Sequence, residues 1–264
     1  LKETNLRAEY FTTLNGIYHG YRAAKEGAPT LVFANSLGTD LRVWDRVVTL
    51  VPADWGILRQ DKRGHGLSAL SETLTIETMA DDVEALLDHY GIDAFVGVGL
   101  SVGGLIMQRM ALRRPHAMTH LVLSDTAAKI GSPELWDPRI ATVLSDGIAA
   151  IGDAILSRWF APAYRDCDDF AMWRAMLERT PAKGYAQVCA AIRDADYRED
   201  LAKISQPTLV LVGAQDTSTP PELVKATADG IANSTFTEID TAGHLPCVEQ
   251  PEAFTALLRA HIEA

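Results

Sequence analysis

Gly99-Leu100-Ser101-Val102-Gly103 sets a serine between two glycines at the spacing G-x-S-x-G. That spacing suits a strand turning abruptly into a helix. The glycines remove side chains that would collide across the turn, and the serine hydroxyl stands clear of the sheet edge. The amino end of the following helix offers the Val102 N–H and a dipole that favours negative charge on a carbonyl oxygen. A serine hydroxyl is a weak nucleophile, so it needs a base, and the base needs an orienting acid. His244, in Thr241-Ala242-Gly243-His244-Leu245-Pro246, and Asp216, in Gly213-Ala214-Gln215-Asp216, each follow a strand-like run, in the chain order Ser, Asp, His. The other histidines fall in a hairpin, in a glycine-rich turn, or on and beside helices and strands. Asp125, also at a strand end, competes for the acid's role, and Asp216 is preferred. A second oxyanion donor is expected after the strand Leu31–Ala34, in Asn35-Ser36-Leu37-Gly38. Leu37 N–H is the candidate partner of Val102 N–H, with Gly38 freeing the backbone to turn it inward. Such a constellation performs acyl transfer on a carboxylic ester and requires neither a metal nor an organic cofactor.

These residues need a scaffold that brings several strand ends to one edge. Thr30–Ala34, Gly56–Gln60, Ala94–Leu100, His120–Ser124, Thr208–Gly213 and Thr235–Ile239 read as strands. A helix with Ile76, Met79, Val83, Leu86, Leu87 and Tyr90 on one stripe is expected between the second and third of these, capped by Thr75 and stopped at Gly91. Another runs from Val102 to Arg114, a third from Pro221 to Ile231, and a closing helix carries Phe254, Leu257, Leu258 and Ile262. Strands alternating with helices predict an α/β fold: a mostly parallel, twisted sheet with helices on both faces. The start differs, since Tyr10 to Ala23 reads as an antiparallel hairpin turning near Asn15-Gly16. Residues 130–203 break the alternation and read as a helical cap inserted into a single domain spanning 1–264. Trp136, Trp159, Phe160, Tyr164, Phe170, Trp173, Tyr185 and Tyr197 are scattered through it. Most of these should pack among themselves, and a minority should touch a ligand.

Composition fits this reading. For 264 residues, area scaling predicts roughly 11,000 Å² exposed when folded against about 42,000 Å² unfolded, enough for a substantial core. With 24 Lys and Arg against 35 Asp and Glu, the formal net charge of −11 argues against nucleic acid and anionic membranes as partners. No apolar run has membrane-spanning length, and Leu1-Lys2-Glu3-Thr4 lacks a signal peptide's apolar stretch. Cys167, Cys189 and Cys247 match no zinc or redox spacing and read as free thiols, so the expected compartment is cytoplasmic.

Together the triad and its strands resemble the α/β-hydrolase superfamily over nearly the whole chain. Asp61-Lys62-Arg63-Gly64-His65-Gly66-Leu67-Ser68 is similar to that group's D-x-R-G-H-G-x-S segment, which is structural there. A narrower resemblance is to the 3-oxoadipate enol-lactonases. It is carried by Asn35-Ser36-Leu37-Gly38-Thr39-Asp40-Leu41 with Trp44, and by Asp125-Thr126-Ala127-Ala128-Lys129-Ile130-Gly131-Ser132-Pro133-Glu134-Leu135-Trp136 with Arg139. Two departures stand out: Val102 occupies a position where that group usually has Met, and Leu245-Pro246-Cys247 replaces a more polar run. The resemblance implies hydrolysis of an enol-lactone in aromatic-compound breakdown. That lactone carries an acetate arm and is an anion, so a protein of this charge needs a local cation to hold it. Arg139 is the candidate grip and Trp136 a candidate wall for the flat ring. Against the grip stand a solvated Arg139 or one paired with Asp137. Another carboxylesterase, lactonase or cofactor-free perhydrolase would use the same triad, and a silent small-ligand receptor would keep its residues without turnover.

Overall fold

Runs of Val, Leu, Ile and Gly with no polar alternation can only be central strands, because both of their faces must be covered. The computed structural model describes residues 8–264, and residues 1–4, read above for a leader, lie outside the described residues. Eight strands form one sheet: β1 (Tyr10–Leu14), β2 (Ile17–Arg22), β3 (Thr30–Ala34), β4 (Gly56–Gln60), β5 (Phe95–Leu100), β6 (Met118–Ser124), β7 (Thr208–Gly213) and β8 (Ser234–Ile239). Their spatial order is β1-β2-β4-β3-β5-β6-β7-β8. From β4 to β8 every neighbouring pair is parallel, while β2 runs antiparallel to both β1 and β4. Every residue of β3, β4, β5 and β7 is buried, whereas the edge strand β8 alternates and buries only Ile239 fully. This is the α/β-hydrolase architecture expected from the sequence.

Ten α-helices accompany the sheet: α1 (Asp45–Leu50), α2 (Ile76–Tyr90), α3 (Val102–Arg113), α4 (Pro133–Asp146), α5 (Gly152–Trp159), α6 (Phe170–Glu178), α7 (Ala182–Asp194), α8 (Pro221–Asp229), α9 (Pro246–Glu249) and α10 (Pro251–Ile262). The crossover β3–α1–β4 moves one way along the sheet and β4–α2–β5 moves the other. Right-handed crossovers of opposite direction put their helices on opposite faces. Accordingly α1 packs with α9 and α10, while α2 packs with α3. The reversal also opens a crevice at the carboxyl ends of β3 and β5, where ligands of open α/β sheets bind.

Local signals hold in detail. Thr75 caps α2 reciprocally with Thr78, at 3.0 and 3.1 Å, and Gly91 ends it with φ of 62°. Tyr90 leaves the buried stripe. It stacks on Tyr21 at 3.8 Å and bonds His19 Nε2 at 2.7 Å, tying α2 to the hairpin. The helices α1 and α9 and the 3-10 turn Leu41–Trp44 have no counterpart in the sequence reading. Four to six residues show no helical period, and these turns form because the chain must cross between fixed strand ends. Between β6 and β7 the described chain makes no strand. It runs through α4 to α7, and aromatic packing there is internal: Phe160 stacks on Tyr164 at 4.8 Å and lies 6.2 Å from Trp173. No described helix is long and apolar enough to cross a membrane.

Packing is very tight where α3 meets β3: a Cβ on Gly103 would lie 1.9 Å from the Ala34 carbonyl oxygen, a backbone atom that cannot swing away. Gly103→Ala should therefore cost at least about 3 kcal/mol in urea denaturation, or prevent folding. Gly152→Ala is the control. Its Cβ would meet the flexible Glu178 and Arg174 side chains, at 3.3 and 3.7 Å, and stability should change by less than about 1 kcal/mol.

Candidate active site

Ser101 sits between β5 and α3 with φ of 57° and ψ of −119°, a backbone state that costs a side-chain-bearing residue roughly 1–3 kcal/mol. Two bonds from the neighbouring strand hold it there. Its N–H donates to the Ser124 carbonyl at 3.0 Å, and its carbonyl accepts from Thr126 Oγ1 at 2.7 Å. Gly99 is needed as much as Gly103, since its Cβ would stand 2.4 Å from the Gly103 carbonyl oxygen.

His244 and Asp216 arrive from the ends of β8 and β7. His244 Nδ1 lies 2.8 Å from Asp216 Oδ2, and both side chains are buried. A carboxylate only accepts, so Nδ1 carries the proton and Nε2 keeps its lone pair for the cavity that Ser101 and His244 both line. Asp216 also accepts from Thr219 Oγ1 at 2.7 Å and from the Ser218 and Thr219 N–H groups at 2.7 and 3.2 Å. Burial would raise its pKa, but the His244 charge and these hydrogen bonds outweigh burial and hold the carboxyl below its usual range. Asp125 lies on the other side of the pair. It is fully buried, has φ of 49°, and accepts from Ser124 Oγ at 2.6 Å and the Gly213 N–H at 2.9 Å. Burial and then the adjacent Asp216 charge push its pKa well above the ordinary value. His244 thus faces Asp216, as preferred from the sequence, rather than Asp125. Asp125, Asp216 and His244 each bring a ligand atom within 4.8 Å of the others. Backbone, hydroxyl and imidazole donors already engage each of the four carboxylate oxygens.

Leu37 lines the same cavity, in the turn after β3, and among the described residues its N–H enters no hydrogen bond. Gly38 follows with φ of 76°. Val102 is fully buried beneath Ser101, and its N–H is the first of α3, beyond reach of any helix carbonyl. Glu249, on α9, secures the other side. Its two oxygens accept from the N–H groups of Gly243 and Ala161, each at 2.8 Å, while the His244 N–H donates to Trp159 at 2.9 Å. The histidine loop is thereby sewn to the segment after α5.

Trp136 and Arg139 also reach the cavity, which holds about 50 Å³ and is roofed by Trp159 and Tyr185. The Trp136 indole donates to the Ile130 carbonyl at 2.8 Å, and the Arg139 guanidinium lies over its ring at 4.8 Å from the centroid. Asp137 pairs with Arg193 at 2.7 Å, so it does not neutralise Arg139. Arg158, on α5, is a second cation on the lining. It is solvent-exposed and borders the cavity beside Trp159, and sequence reasoning missed it because its place depends on the phase of α5. Among the described residues no Asp or Glu lines the cavity. Three of the eight scattered aromatics, Trp136, Trp159 and Tyr185, face it. A larger depression of about 690 Å³, between Tyr18, Arg59 and Met176, includes none of Ser101, Asp216 and His244, so volume alone points away from the chemistry.

Residues 31–257 match the alpha/beta hydrolase family. The chain is 35% identical over 235 residues to 3-oxoadipate enol-lactonase 2 of Acinetobacter baylyi, covering 88% of each protein. It is 33% identical over 241 residues to 3-oxoadipate enol-lactonase 1 of the same organism, covering 90% of each. Its structure superposes on that of the enol-lactonase from Burkholderia xenovorans LB400 with a TM-score of 0.90 and 35% identity, covering 97% of this chain and 100% of the other.

The raised pKa of Asp125 has a measurable sign. A carboxyl whose folded pKa is raised contributes stability that is present below the unfolded value of about 3.9 and is lost as pH rises. Asp125→Asn keeps the shape, tolerates the positive φ and abolishes the titration. Its stability relative to the native chain, read by urea denaturation, should therefore improve as pH rises above about 4. Turnover should stay within about ten-fold of native, whereas an Asp125 that oriented His244 would cost on the order of 10⁴-fold.

Proposed function

This chain belongs to the alpha/beta hydrolase family and is a hydrolase, and on that premise we propose that it opens a small anionic lactone by acyl transfer through Ser101, with 3-oxoadipate enol-lactone as the substrate. Ser101 Oγ attacks the lactone carbonyl as His244 Nε2 takes the hydroxyl proton. The N–H groups of Leu37 and Val102 hold the oxyanion. On collapse, the ring C–O bond breaks and the leaving enol oxygen takes the proton back from His244. The acyl group stays on Ser101. Water, deprotonated by the same imidazole, then releases the open-chain acid. Asp216 fixes the tautomer and stabilises the imidazolium in both half-reactions. No metal or organic cofactor enters any step.

The observation that carries the substrate class is the charge of the lining: two arginines, Arg139 and Arg158, and no acid. A chain of net charge −11 repels an anion at long range, so its acceptance has to be local. Neither arginine has an ion-pair partner among the described residues, which leaves both free for a carboxylate arm. Trp136 offers a flat wall for the ring, and the small cavity favours a compact substrate. The likeness to two enol-lactonases, one of 35% and one of 33% identity, supports the same choice. The reading includes the cytoplasm as the compartment, supported by three unpaired cysteines.

The test compares the enol-lactone with a neutral ester of similar size. Ser101→Ala should abolish turnover of both while leaving the fold intact. Arg139→Met should cost ten- to a hundred-fold in kcat/KM on the lactone and little on the neutral ester, matching the loss of a charge-assisted bond of about 1.5–3 kcal/mol. Equal losses on both substrates, or none on either, would remove Arg139 from the site and the anionic lactone with it.

A further inference from the structure

Lys62 is the buried cation that the chemistry above leaves unused. It follows Asp61 in the turn after β4 and is 3% exposed. Its ammonium donates to the Ser36 carbonyl at 2.5 Å and to the Thr39 carbonyl at 3.1 Å. Among the described residues no acid forms an ion pair with it: Asp61 accepts from the Leu41 and Leu67 N–H groups, and Asp40 is engaged by Arg42. Burial pushes the ammonium down to about 7, against the pull of Asp61 and Asp40. A cation kept in such a place at this cost invites the question of what it acts on.

The Ser36 carbonyl and the Leu37 N–H are two ends of one peptide group. The peptide is trans, so the two point in opposite directions. A donor that grips the Ser36 oxygen from the core therefore aims the Leu37 N–H outward, toward the cavity lined by Leu37, Ser101 and His244. Positive charge on the oxygen also draws electrons from the amide and strengthens its N–H as a donor. Further bonds stiffen the same turn. Thr39 Oγ1 and N–H reach the Ser36 oxygen at 2.9 and 3.3 Å, and Asn35 Nδ2 holds the Thr39 carbonyl at 2.8 Å.

We propose that Lys62 is a positioning residue of the oxyanion hole, aiming and polarising the Leu37 N–H through the Ser36–Leu37 peptide. This rests on the reading of Ser101 as nucleophile and Leu37 as donor. The groups facing Lys62 are Asp61, Asp40 and His65. His65 is kept neutral by burial and then by Lys62 itself, so it adds no second cation. As pH rises past neutrality the ammonium is lost and the hole weakens. Turnover should therefore fall on the alkaline side.

The experiment measures kcat, KM and the affinity of a trifluoromethyl ketone, which adds to a serine as a tetrahedral oxyanion, across neutral to alkaline pH with a neutral ester as substrate. Lys62→Met keeps the chain length and removes the cation. The expected result is a ten- to hundred-fold fall in kcat, KM within about two-fold, ketone affinity weakened in step with kcat, and loss of the alkaline decline. A folded variant with native kcat, or one that loses kcat while ketone affinity is unchanged, would overturn the proposal. Should Lys62→Met fail to fold, the native protein decides: ketone affinity must weaken as pH rises above neutrality, and a flat profile overturns it. Failure of the underlying reading looks different. Ser101→Ala would then keep its turnover, whatever Lys62 does.

Discussion

The strained serine turn is the constraint around which the rest is arranged. Ser101 holds φ of 57° only because β5 ends directly in α3, and α3 lies so close to β3 that Gly103 touches the Ala34 carbonyl. That closeness brings the turn from Asn35 to Thr39, after β3, to the cavity that Ser101 lines, where the proposed second N–H, that of Leu37, lies. The direction of the crossovers does the remaining work. Because the chain reverses between β4 and β5, the crevice opens over the carboxyl ends of β3 and β5. The parallel sheet delivers Asp125, Asp216 and His244 to the same edge from β6, β7 and β8.

Burial then decides which charges survive. Two carboxyls stand close together behind His244, and they cannot both ionise in a dry site. Asp216 collects the imidazole, a hydroxyl and two backbone N–H groups and keeps its charge. Asp125 has less support, and burial and the Asp216 charge push its pKa well above the ordinary value. Glu249 follows the same logic at the histidine loop. Burial raises it to about 7 although it accepts two backbone N–H groups, and it joins that loop to the segment carrying Trp159. On the cavity lining the balance is reversed, with arginines unopposed by acids. A protein that is acidic overall thus presents a cationic interior surface.

Legibility in the sequence tracks how local each determinant is. The elbow, the capping of α2 by Thr75 and the hairpin turn at Asn15-Gly16 are written in contiguous residues, and the structure has each in place. The strand ends were legible because buried parallel strands are continuous apolar runs, and this is why Ser101, Asp216 and His244 could be brought together before any contact was known. Arg158 and Glu249 were not legible. Each depends on the phase of a short helix, and Glu249 also on a partner far along the chain, and nothing in their neighbours' types announces a charge at the site. Lys62 was in view only as a variable position within Asp61–Ser68; its link to Leu37 exists through a carbonyl, and backbone carbonyls carry no sequence signal. The helices α1 and α9 escaped for a related reason, being too short to show a period.

The most direct measurement is exposure of the native protein to a fluorophosphonate, followed by intact-mass analysis and peptide mapping. On the proposed mechanism, in which His244 takes the Ser101 proton, the protein should acquire a single adduct on Ser101 at neutral pH and lose all turnover in proportion to labelling. An unlabelled protein that still hydrolyses its substrate, or an adduct on any other residue with activity lost in step, would contradict the acyl-transfer site described.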